Sequence, residues 1–150
     1  MPIEKEIPKS YFRNSSHKTL VNIFYTSNWI LEKLKHFLES EDITHQQYNI
    51  LRILINSQKP LSTLQIREQM LDKMSDTSRI VERLLKKNLV FKQVSKIDKR
   101  LVDVTITEKG RQLLNRLDKK THEIDSIMSN LSSEEIETVN HLLDRIREKI

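Results

Sequence analysis

The stretch Ser95–Gly110, SKIDKRLVDVTITEKG, decides how the rest of the chain is read. It begins with charge, since Lys96, Asp98, Lys99 and Arg100 crowd together. It then alternates, with Val102, Val104 and Ile106 on one side and Leu101, Asp103 and Thr105 on the other. A two-residue period is that of a strand. It ends in Thr107-Glu-Lys-Gly110, the pattern of a helix start. Leu89–Val94 is a second β-type run just upstream. The charged residues therefore form the tip of a hairpin that leads directly into a helix.

Upstream, the patterning is helical. Residues 1–15 carry two prolines and mixed charge and read as an arm. Leu20, Ile23, Phe24, Ser27, Ile30, Leu31, Leu34, Phe37 and Leu38 recur at spacings of three and four, which predicts a helix over about 16–40. Glu41-Asp42 interrupts it. Thr44-His-Gln-Gln47 is a capping box opening a helix with Tyr48, Leu51, Leu54 and Ile55 on its apolar face, ended by Lys59-Pro60. Ser62-Thr-Leu-Gln65 is a second capping box, for a short helix bearing Leu64, Ile66, Met70 and Leu71. After Ser75-Asp-Thr-Ser78, a fourth helix runs through Ile80, Val81, Leu84 and Leu85 to about Lys87. Asn88 is suited to its left-handed cap.

Downstream, Thr107 caps a long fifth helix carrying Leu113, Leu114, Leu117, Ile124, Ile127, Met128 and Leu131. Ser132-Ser-Glu-Glu135 is a third capping box. Its helix carries Ile136, Val139, Leu142, Leu143, Ile146 and Ile150. The expected order is four helices, a two-stranded ribbon and two more helices.

Composition narrows the chemistry. The 150 residues include one Gly and no Cys, which leaves no Gly-rich phosphate loop, disulfide, thiolate zinc site or cysteine redox switch. His36, Glu39, Glu41, Asp42 and His45 fit no compact metal motif, and no Ser-His-Asp arrangement is visible. No cofactor and no enzymatic activity are expected. The N-terminus has no apolar signal core, and no apolar run is long enough to span a membrane, so a cytoplasmic protein without a membrane partner is expected. The net charge of +5 favours anionic partners, nucleic acid first. Between Lys73 and Arg100, nine basic residues stand against three acidic ones, so the basic character sits in this segment.

Two short helices joined by a tight turn and followed by a hairpin form a winged helix-turn-helix. In that motif the second helix enters the DNA major groove with its N-terminal residues at base edges, and a basic hairpin tip reaches backbone or minor groove. The fold class expected is mainly α with a small β-hairpin wing. Residues 43–106 are the DNA-binding region, and 16–42 with 107–150 form the flanking helical dimerisation region.

The segment Ser75–Gly110 resembles the MarR family of winged-helix transcription regulators. The wing matches that family's D-x-R pattern, hydrophobic strand and T-x-x-G in Asp98-Lys-Arg100, Val102-Asp-Val104-Thr-Ile106 and Thr107-Glu-Lys-Gly110. The recognition helix is similar in Thr77-Ser-Arg79-Ile-Val-Glu-Arg-Leu84. Asn88 departs from the usual Gly before the first wing strand. The resemblance implies a homodimer whose terminal helices intertwine. Such a dimer reads a pseudo-palindromic site in double-stranded DNA, with half-site centres ~10 bp apart. It also implies a crevice for a small aromatic or phenolic effector and a repressor that the effector releases.

Ser75, Thr77, Ser78, Arg79 and Arg83 are the expected DNA contacts of the recognition helix. The plain alternative is a solvated face with Arg83 in an ion pair. Lys96, Asp98, Lys99 and Arg100 make the wing, with Arg100 entering the minor groove and Asp98 bracing the turn without touching DNA. Lys86, Lys87, Lys92 and Lys96 itself are either phosphate contacts or soluble surface. Tyr25, Trp29, His45 and Tyr48 come from the regions that would line the effector crevice, or else pack in the core or dimer interface, as do Tyr11 and His36. The competing function is a winged-helix protein-interaction module without specific DNA binding. It calls for an apolar or acidic reading head, and this one is basic.

Overall fold

The computed structural model describes residues 1–148. The elements are α1 (Ser15–Glu39), α2 (His45–Asn56), β1 (Leu61–Ser62), α3 (Thr63–Gln69), α4 (Thr77–Lys86), β2 (Val90–Val94), β3 (Val102–Ile106), α5 (Glu108–Asp118), α6 (Thr121–Asp125) and α7 (Ser133–Arg147).

All three capping boxes form. Thr44 Oγ1 accepts from the Gln47 amide at 3.2 Å, and Gln47 Oε1 accepts in return from the Thr44 amide at 3.1 Å. The Ser62–Gln65 and Ser132–Glu135 pairs repeat this at the starts of α3 and α7. Each satisfies amides that a helix leaves orphaned at its first turn. Two of the helices are followed by a left-handed residue. Asn88 has φ 56° after α4, and Asp42 has φ 50° after α1.

The sheet differs from the expected ribbon. Its order is β1-β3-β2, all antiparallel, with Leu61 opposite Val104 and Val90 opposite Ile106. β1 is two residues long, too short to show a period, and its Ser62 also caps α3. It exists because β3 offers a free edge to it.

The long fifth helix is also broken. α5 ends at Asp118, α6 begins at Thr121, and Ser126–Met128 is a 3-10 turn. From Asp118 to Glu123 no side chain is apolar, so no burial holds a continuous helix across that gap. Asp118 is instead drawn into an ion pair with Arg52 of α2.

The arm has structure of its own. Ile3–Lys5 and Lys9–Tyr11 are 3-10 turns, Ile3 is buried, and Glu4 pairs with Lys18 of α1. Ile150, expected on the last apolar stripe, lies outside the described residues.

One core ties the elements together. Leu38, Ile50, Leu51, Ile66, Val81, Leu84, Val104, Leu114 and Leu117 are essentially inaccessible to solvent. It draws on the end of α1 and on α5 as well as on the winged segment. Elsewhere the apolar residues of α1 are only partly covered, Leu34 packing on the core edge. Only Phe37 and Leu38 of its residues are buried, and α7 buries none. Leu20, Phe24, Leu31, Leu142 and Ile146 all stand exposed.

Candidate nucleic-acid interface

The candidate interface is centred on the start of α4. Asp76 is its N-cap, and the carboxylate accepts from the Arg79 amide at 3.1 Å. The same carboxylate lies 3.6 Å from Arg79 Nε. An acidic cap suits the positive end of a helix, and here it also steadies the first arginine.

Ser78, Arg79 and Arg83 are exposed, and Arg83 has no ion pair among the described residues. Ser75 is half-buried and its hydroxyl donates to the Asp72 carbonyl at 2.8 Å, so it shapes the turn before the helix. Thr77 departs from the sequence expectation. It is buried, and its hydroxyl faces the interior without a hydrogen-bond partner among the described residues. A polar residue in a polar run gave no sign of this; residues at i, i+4 and i+7 share a helix face, and Thr77 falls in register with the buried Val81 and Leu84.

Among the other basic residues of this segment, Lys87 donates to the Asp42 carbonyl and lies 3.1 Å from its carboxylate. Lys92 of β2 pairs with Glu82 of α4. These two lysines tie elements together. Lys86, Lys96 and Lys99 have no ion pair among the described residues and are exposed.

The wing tip is ordered by its own hydrogen bonds. Buried Ser95 accepts through Oγ from the Ile97 and Asp98 amides, at 3.3 and 3.4 Å. Its amide donates to the Leu101 carbonyl at 3.0 Å, and the Leu101 amide donates to Asp98 at 2.9 Å. Arg100 grips Asp98 in a bidentate pair and also donates its own amide to it. The Arg100 guanidinium, then its backbone amide, hold the Asp98 carboxyl below its usual range.

Thr107-x-x-Gly110 anchors the wing to α5. Thr107 donates its amide to the Leu89 carbonyl at 3.0 Å and its hydroxyl to the Asn88 carbonyl at 2.8 Å. Its hydroxyl also accepts from the Gly110 amide at 3.1 Å. A Cβ at Gly110 would stand 2.5 Å from the Leu89 carbonyl oxygen, which explains the glycine.

The four crevice residues do not converge. His45 and Tyr48 line a cleft of about 510 Å³ together with Leu31, Leu34 and Met70. Arg52, which sequence reading missed, joins them, with Nε 2.9 Å from the Tyr48 hydroxyl and its guanidinium 5.0 Å from the ring centre. Trp29 faces a different cleft, with His36 and Ile124. Tyr25 lies beside Glu6 of the arm; partial burial and then that carboxylate raise its phenol above 10.0. Tyr11 stacks on His17.

No protein-family model matches the chain. It is 31% identical over 127 residues to the HTH-type transcriptional regulator TcaR of Staphylococcus aureus (strain Newman), covering 82% of this chain and 83% of that one. It is 29% identical over 119 residues to the HTH-type transcriptional regulator MhqR of Bacillus subtilis (strain 168), covering 78% and 81%. In fold it superposes on a mutant MarR from E. coli, solved in complex with operator DNA, with a TM-score of 0.77 at 18% identity over 99% of both chains. With a capped recognition helix and a braced basic wing in place, the chain belongs to the MarR family of winged helix-turn-helix, DNA-binding transcriptional regulators.

Proposed function

We propose that the chain works in the cytoplasm as a homodimeric, ligand-responsive repressor that binds a pseudo-palindromic operator. The observation that carries this is the pairing of an exposed Ser78–Arg79–Arg83 face with a rigid cationic wing. Residues 43–106 supply the reading head. Arg79 and Arg83 lie one turn apart and reach guanine edges or phosphates. Ser78 adds a hydroxyl contact, and Ser75 contributes through the turn. Lys96, Lys99 and Arg100 meet backbone and minor groove. Thr77 supports the helix from the core side.

The dimer uses the uncovered faces of α1 and α7, within 16–42 and 107–150. Leu20, Phe24, Leu142 and Ile146 are exposed there in one chain, and a second copy removes that apolar surface from water. Two recognition helices then stand about one DNA turn apart, ~10 bp. The cleft holding His45, Tyr48 and Arg52 takes a small aromatic or phenolic effector. The effector releases DNA by favouring the incompetent spacing of the two heads.

Duplex selection from genomic fragments, followed by fluorescence anisotropy across a salt series, tests the reading. One pseudo-palindrome bound by a dimer at least ~10³-fold more tightly than random duplex is the expected result. Weak, sequence-blind binding that salt abolishes would sink it.

A further inference from the structure

The wing tip carries an apolar side chain that the DNA-binding reading leaves without a task. Ile97 is 96% exposed, at the apex of the hairpin loop. Its backbone is held by the buried Ser95 hydroxyl, which accepts from the Ile97 amide at 3.3 Å and from the next amide at 3.4 Å. The loop therefore presents a branched aliphatic group outward on a fixed backbone. Lys96 and Lys99 flank it, both exposed and without ion pairs among the described residues. The neighbouring carboxylate is neutralised, because Asp98 accepts two hydrogen bonds from the Arg100 guanidinium and one from its amide. The apex is thus an apolar point between two free cations.

That combination suits one polyanion surface in particular. The minor groove has phosphates on both walls for the lysines and a floor that an aliphatic group can touch. A·T pairs present only acceptors there, whereas G·C adds the guanine N2 amino group, a donor standing up from the floor. An aliphatic side chain pressed on that amino group strips its water and offers no acceptor, which is costly. Apolar side chains are also a recurring device of minor-groove contact.

We infer that Ile97 is a specificity-determining residue of the wing: it rests on the minor-groove floor flanking each half-site and selects A·T over G·C there by excluding the guanine N2 amino group. The inference depends on the DNA-binding reading above.

The test compares three versions of the selected operator, identical in the half-site cores and carrying A·T, G·C or inosine·C pairs in the wing-contacted flanks. Inosine·C lacks the N2 amino group but keeps the major-groove face of G·C. Wild-type protein should bind the A·T and inosine·C flanks alike and the G·C flanks roughly tenfold more weakly, the scale of one unfavourable base pair. Ile97→Ser should bind all three alike, with an unchanged melting temperature. Lys96→Ala should lower affinity for all three by the same factor. If Ile97→Ser keeps the full discrimination, or if wild type treats inosine·C as G·C, Ile97 does not read the groove floor. Failure of the DNA-binding reading looks different, because wild type would then show no preference for the operator core over random duplex.

Discussion

The Arg100 guanidinium grips the Asp98 carboxylate with two parallel hydrogen bonds, Nε to Oδ1 at 3.0 Å and Nη2 to Oδ2 at 2.9 Å. Two residues apart on an exposed loop, they form a brace that closes the wing turn. By Coulomb's law alone, removing an acid near phosphates should help DNA binding. The brace predicts the reverse. Asp98→Ala should weaken operator affinity, since Arg100 loses its fixed position and the turn loses its acceptor. Anisotropy at two salt concentrations checks this. A gain in affinity would show that charge outweighs geometry here.

Arg79→Ala should cost about 1–3 kcal/mol of operator affinity and relax preference at one base position. The helix cap survives this change, because Asp76 accepts from the backbone amide of residue 79. Arg100→Ala should weaken binding to all sequences and flatten the salt slope. Binding measured against a panel of single-base operator variants separates the two behaviours.

Gly110→Ala should destabilise the protein by about 1–3 kcal/mol, the usual cost of overpacking, although alanine is the better helix former. The new Cβ would meet the Leu89 carbonyl oxygen at 2.5 Å and Ile106 Cγ1 at 2.7 Å. The carbonyl cannot retreat without stretching its bond from the Thr107 amide. Urea unfolding should show a lower midpoint at unchanged slope.

Asn88→Ala should lose about 1 kcal/mol, because φ at this position is 56°, a conformation that glycine, asparagine and aspartate tolerate better than alanine. Asn88→Gly should be neutral or slightly stabilising. The same unfolding experiment ranks them, and equal stability of the alanine and glycine variants would contradict the cap assignment.

Arg116 of α5 holds Glu41, beyond the end of α1, in a second bidentate pair, at 2.8 and 2.7 Å. The arginine lowers the Glu41 carboxyl below 4.5, against the opposing effect of its burial. A carboxyl lowered in the folded state contributes stability that is complete above its unfolded value. That contribution fades as pH falls below about 4.5 and through the folded value. Glu41→Gln should therefore be less stable than wild type at neutral pH, with the gap closing in acid. Thermal melts across the acid range measure it.

Much of this was legible from local spacing. The capping boxes, the Asn88 stop and the wing alternation each depend on residues within a few positions of one another, where the hydrogen-bonding partners are dictated by chain geometry. So the α-rich winged fold could be read directly. The N-cap of α4 was the local exception. Ser75, Asp76, Thr77 and Ser78 are all capable cappers, and only the packing of Thr77 beside Val81 and Leu84 selects Asp76.

What tertiary structure alone decided spans longer separations. β1 is a strand only because β3 lies beside it. The break after α5 follows from a polar stretch with nothing to bury and from the pull of Arg52 on Asp118, 66 residues away. Arg116 reaches Glu41 across 75 residues, and Lys87 reaches Asp42 across 45. The aromatic set divided between separate clefts for the same reason. Periodicity reports which face of a helix is apolar, but the partner of that face is chosen when the helices pack.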